Sequence, residues 1–163
     1  MWYLKLKHWQ VFCFLIPAVI MQIFTWESNE LVTQIINTTG YIIFFILPLF
    51  MGEALHNIAN MRFDLNHNFF LINASIVLLS FTIPAIVGSF HFTGLAALPF
   101  LYIFFAFLYS FAYPVKAMNT IEKGKDVSFS QYAGDFFLLL FFPIGIWIIQ
   151  PRLNKIASLH TSL

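Results

Sequence analysis

Two carboxylates in this chain each stand three residues ahead of a histidine: Glu53-Ala-Leu-His56 and, further on, Asp64-Leu-Asn-His67. Residues at i and i+3 share a helical face. A carboxylate-x-x-His pair on each of two helices is how di-metal carboxylate bundles present their ligands. Mixed oxygen and nitrogen donors suit iron, manganese or zinc. Glu53, His56, Asp64 and His67 are therefore the candidate metal ligands. The pattern is incomplete, because such bundles take a further Glu from each of two other helices, and no other segment offers one at matching depth. The plainer reading puts these residues at the end of a helix and in the polar loop after it, where charge is ordinary. On that reading no metal and no other cofactor is expected.

Three polar residues fall within or at the edge of apolar runs: Glu53, Asp135 and Asn73. An ionisable group at membrane depth is a functional candidate, since burying it in hydrocarbon is costly. Glu53 follows Leu47-Pro-Leu-Phe-Met-Gly52, and near a helix end it can reach the interface and pair with His56 or Arg62. Asp135 suits the positive end of a helix dipole, with Ser128 or Ser130 as cap. The sharper alternative joins it to Asn73, Thr38 or Thr39 across a helix interface. Asn37-Thr-Thr-Gly40 and Asn73-Ala-Ser75 carry the small and polar residues that let membrane helices approach one another.

Other chemistries find no support. There is no nucleophile elbow, phosphate-binding glycine loop, Cys-x-x-Cys pair or His-Glu-x-x-His motif. His8, His56, His67, His91 and His160 all map to ends, loops or tails, which disfavours haem. The lone cysteine, Cys13, has no partner for an internal disulfide. A net charge of +1 and the absence of any basic, aromatic-interleaved run exclude a nucleic-acid partner.

The elements that must position these residues follow from composition. Of 163 residues, 60% are hydrophobic, 20% aromatic and only 9% charged, with mean hydropathy +0.82. A soluble domain carries about 25% charged residues to solvate its surface. Lipid must be the solvent here. Five apolar segments stand out, at about 9–26, 35–55, 69–90, 95–113 and 133–150. They are continuously apolar and too long for the alternating strands of a barrel. The expected fold is an all-α membrane protein: one domain, a bundle of four transmembrane helices plus a fifth segment that spans or re-enters. The basic, apolar N-terminus lacks a small-x-small cleavage site and reads as an uncleaved first helix bounded by Trp9 and Trp26. The tight connection His91–Gly94 predicts that the third and fourth helices form an antiparallel hairpin.

Lysine and arginine set the orientation. With the N-terminus inside, Lys5, Lys7, Arg62, Lys116, Lys123 and Lys125 are cytoplasmic, and the connections Glu27–Gln34 and His91–Gly94 hold no Lys or Arg. A crossing fifth segment sends Arg152 and Lys155 outside, whereas a re-entrant one keeps them in. Its purely apolar part, Phe136 to Ile149, is about 21 Å long as a helix, short of a hydrocarbon core of about 30 Å. Pro143 and Gly145 sit where a chain reversal needs them. Each segment also carries one proline (Pro17, Pro48, Pro84, Pro99, Pro143), ordinary in membrane helices but also a means of opening a bundle around a cavity.

The run Val127 to Ile156, and within it Pro143-Ile-Gly-Ile-Trp147 and Gln150-Pro-Arg-Leu-Asn154, resembles the C-terminal part of small bacterial multi-pass membrane proteins of no known activity. The resemblance implies a bacterial cytoplasmic membrane and supplies no chemistry. The functional expectation is a non-enzymatic subunit or accessory protein. Its partners are the bilayer and other membrane subunits, or further copies of itself. The alternatives are a small transporter or channel-like protein using Glu53 or Asp135, and an intramembrane metal-dependent enzyme.

Overall fold

The computed structural model describes residues 2–59, 63, 65–87 and 98–161. Among them the chain is helical throughout, with no strand. A short 3₁₀ turn, Trp2–Lys5, precedes α1 (His8–Ile23), α2 (Glu30–Ala59), α3 (His67–Val87), α4 (Leu98–Lys123), α5 (Phe129–Leu140) and α6 (Phe142–Thr161). By length and composition, α2 and α4 are long and apolar enough to cross a membrane, and the apolar helices in α1 and α3 are shorter.

The apolar runs become helices because a continuous helix satisfies its own backbone. Their polar side chains follow the same rule. Thr39, Asn73, Ser75, Thr82, Ser110 and Asn119 each donate to the carbonyl one turn earlier in their own helix, at 2.7 to 3.1 Å. The expected link from Asp135 to Asn73, Thr38 or Thr39 is not made. Asn73 is fully buried on α3 and bonds Phe69 instead.

Helix α2 is the centre, packing on α1, α3 and α4. Phe45, Phe70, Phe111 and Met118 fill the space between them. The α1–α2 approach depends on Gly40, where a Cβ would stand 2.7 Å from the Ala18 carbonyl oxygen; the Asn37–Gly40 stretch does serve close approach. The His91–Gly94 connection lies outside the described residues, but α3 and α4 do pack together.

Two segments differ from expectation. The fourth helix does not stop at Tyr113. It continues through Pro114 to Lys123, so the polar stretch after 113 is partly helix. The fifth apolar segment is two helices. α5 starts early, at Phe129, with Ser128 as its N-cap and the Ser128 N–H bonded to Gln131 Oε1 at 3.3 Å. It ends at Leu140, and after Phe141 the chain reverses into α6. The reversal is secured by Gly145, whose absent side chain leaves room for the Leu138 carbonyl of α5.

The basic side chains gather at one end. Gln150 of α6 donates to the Leu6 carbonyl at 2.9 Å, and Arg152 bonds Glu122 at the end of α4. Those contacts gather Lys5, Lys7, Lys123, Lys125, Arg152 and Lys155 at one end of the bundle. Glu27 and Glu30, in the α1–α2 connection and the first turn of α2, lie at the other.

Candidate functional site

Near the basic end, α2, α3 and α4 bring four polar side chains together. His56 and Glu53 lie on the last turns of α2, His67 opens α3, and Tyr113 lies on α4. Asn66 precedes α3 and accepts from the Phe69 N–H at 3.3 Å, fixing the helix start that aims His67 at α2. The His56 and His67 rings stack 3.8 Å apart and nearly parallel, at 4°. His67 Nε2 lies 3.1 Å from Glu53 Oε2. The Tyr113 hydroxyl lies 3.2 Å from His56 Nδ1 and 3.4 Å from His67 Nδ1. Beneath them Phe70 stacks on the Tyr113 ring at 4.3 Å and holds it in place.

One proton assignment satisfies every group. His67 donates through Nε2 to Glu53 and accepts at Nδ1 from the Tyr113 hydroxyl, whose oxygen accepts from His56 Nδ1–H. The result is a continuous run of contacts, Glu53–His67–Tyr113–His56. His56 stands past the apolar run that ends at Leu55. His56, His67, Leu65, Asn66 and Asn68 line a cavity of about 400 Å³ that opens beside the stacked rings.

Three of the four candidate ligands thus converge, but not as the spacing suggests. Glu53 pairs with His67, not with His56 one turn away. Asp64 and Arg62 lie outside the described residues. Among the described residues no three His, Cys, Asp or Glu side chains are arranged to hold a metal ion. His56 Nδ1 and both ring nitrogens of His67 are turned instead to Tyr113 and Glu53. That tyrosine is the member sequence reasoning misses: 57 and 46 residues from its partners, it stands in the sequence only as the end of an apolar run.

Comparison with known proteins finds no family model, no curated protein and no solved structure that matches the chain.

Asp135 belongs to a second cluster. It lies in the second turn of α5, not the first, beyond the positive end of the helix dipole it is expected to complement, while Ser128 takes the cap as expected. Asn119 Nδ2 donates to its Oδ2 at 2.7 Å, and Arg152 Nη1 lies 2.7 Å from its Oδ1. Arg152 also donates through Nε to Glu122 Oε1 at 2.9 Å. The Glu122 hydrogen bonds, then Asp135, hold the guanidinium further toward its charged form, against the opposing effect of burial. Both oxygens of Asp135 are engaged, which makes it a tie between α4, α5 and α6. Glu53, about half exposed, keeps an edge toward solvent.

Proposed function

We propose that this chain is a multi-pass protein of a bacterial cytoplasmic membrane, with α1 to α4 as its spans and its N-terminus in the cytoplasm. On this reading it is a non-enzymatic subunit or accessory protein that works by laying its outer helix faces against other membrane helices. The observation that carries the reading is where the large apolar side chains point. Only 28% of the 18-residue apolar stretch of α2 and 33% of that of α4 is buried. The core helix of a soluble protein buries most of such a stretch. Phe100, Leu101, Phe104 and Phe105 of α4 all face outward, Leu101 at 67% exposure. Soluble monomers rarely expose contiguous apolar patches beyond a few hundred Å². The gathering of Lys and Arg at one end supports N-inside. The lengths fit as well: α3, with 21 residues, is about 31 Å long, and α1, with 16, about 24 Å, a mismatch a bilayer accommodates. The C-terminal resemblance supports the bacterial setting. The test is purification from native membranes in mild detergent after crosslinking. A membrane partner recovered in fixed ratio is expected, and a stable monomer with no co-purifying membrane protein would overturn the subunit reading.

The cavity beside His56 and His67 favours a second reading, a small transporter. Of its two proposed carboxylates, Glu53 is the one in the chain of contacts through His67 and Tyr113 beside open space, while Asp135 is held by Arg152 and Asn119. Proton-coupled flux in liposomes that falls with Glu53→Gln supports it, and flux indifferent to that change does not.

A further inference from the structure

We infer that α5 and α6 form a hairpin that enters only the leaflet on the N-terminal side of the membrane, with its tip among that leaflet's acyl chains and the C-terminus returned to the same side. The inference rests on the reading of α1–α4 as membrane spans and adds what the rest of the chain does there.

The reversal comes first. Asp135 and Arg152 are in contact at 2.7 Å, yet an unbroken helix would hold residues seventeen apart in sequence about 26 Å from each other. The break at Phe141 is suited to lipid. Hydrocarbon tolerates a helix end only where its backbone groups find partners. The Phe141 N–H bonds the Phe137 carbonyl at 2.9 Å, and the Phe141 carbonyl accepts from both Ile144 and Gly145 at 3.0 Å. Pro143 brings no N–H to satisfy.

Depth follows from length. From Asp135 to Phe141 α5 rises about 9 Å, and from Ile144 to Arg152 α6 descends about 12 Å. Half the hydrocarbon core is about 15 Å, so the tip stays within one leaflet. The polar base fixes the level: Glu122 and Asn119 of α4 hold it on one side, and the Leu6 carbonyl receives Gln150 on the other.

The tip itself is apolar and outward. Phe141 is 63% and Ile144 74% exposed, and Phe137 and Ile148 also face out. Trp147 joins this surface to α1, its ring tilted against His8 at 4.5 Å and against Phe12 at 5.7 Å. Beyond that contact the exposed Ile16, one turn past Phe12 on α1, continues the same apolar face. One surface, continuous with a proposed span and bounded below by charge, calls for one occupant: acyl chain.

The experiment uses the full chain with Cys13, its only cysteine, changed to Ala. Ser28→Cys, in the α1–α2 connection, and Lys155→Cys, near the end of α6, change exposed residues and are probed with a membrane-impermeant thiol reagent on intact cells and on inverted vesicles. The two should label from opposite sides. Labelling from the same side means that the chain crosses again, and overturns the inference while leaving the membrane reading intact. Protein in the soluble fraction sinks the membrane reading itself. A spin label at Ile144→Cys should collide freely with oxygen and poorly with a water-soluble nickel chelate. Ready access to nickel, or protection from both, means water or protein covers the tip and overturns acyl chain as the occupant.

Discussion

Replacing Gly145 with Ala tests the hairpin at its tightest point. A Cβ there would lie 1.8 Å from the Leu138 carbonyl oxygen and 2.5 Å from its carbonyl carbon. Ordinary carbon–oxygen contacts begin at about 3.3 Å, so α5 and α6 must part by about 1.5 Å. Leu138 is backbone within a helix and cannot yield alone. If the parting carries to the base of the hairpin, the Arg152–Asp135 contact of 2.7 Å lengthens to about 4 Å, outside hydrogen-bond range. Overpacking of this kind costs about 1–3 kcal/mol. Gly134, also in α5, is the control, since nothing lies within 4 Å of the Cβ it would gain. There Ala removes a helix-interior glycine and should stabilise by up to about 1 kcal/mol. Thermal unfolding in detergent should therefore move in opposite directions for the two variants. Asp135→Asn should cost less in the Gly145→Ala background than in the parent, because its ion pair is already stretched. A Gly145→Ala protein that melts at or above the parent temperature would refute the reasoning.

Further outcomes follow from the two polar clusters. Tyr113→Phe keeps the stack on Phe70 but removes the hydroxyl that faces both imidazoles, and should lower stability by about 1 kcal/mol, read by the same melt. Arg152→Lys should cost about 1–3 kcal/mol, because a single ammonium cannot reproduce the fork that holds Glu122 and Asp135 together; a melt unchanged by it would show the fork to be idle. Elemental analysis of purified protein should find no stoichiometric transition metal; about one ion per chain, lost with His56→Ala, would reverse that expectation.

The helices were readable where the chain is simply apolar, because any such run must satisfy its own backbone. Their ends were less so. Pro114 looks like a terminator, yet α4 passes through it, and Pro143, which looks like the middle of a span, is the second residue of a new helix. The reversal itself was partly visible in Pro143 and Gly145, since both types mark places where a helix cannot run on undisturbed. The two polar clusters were legible only in their ingredients. Glu53, His56 and His67 announce themselves as ionisable, but the choice of His67 over His56 as the partner of Glu53 depends on how α3 enters the bundle. Asp135 and Arg152 are separated by a turn whose sharpness sequence spacing does not encode.

The polar side chains that bond the preceding turn of their own helix have a consequence for how the protein is made. Thr39, Ser75, Thr82 and Ser110 leave the ribosome with an acceptor already in hand as soon as one turn of helix has formed. If α1–α4 are spans as proposed, none has to wait for a neighbouring span before it enters lipid. Asn119 differs, since its amide reaches both its own helix and Asp135. On the proposed membrane reading α2, α3 and α4 can carry these hydroxyls into lipid singly, whereas the Asn119–Asp135 bond must wait for α5.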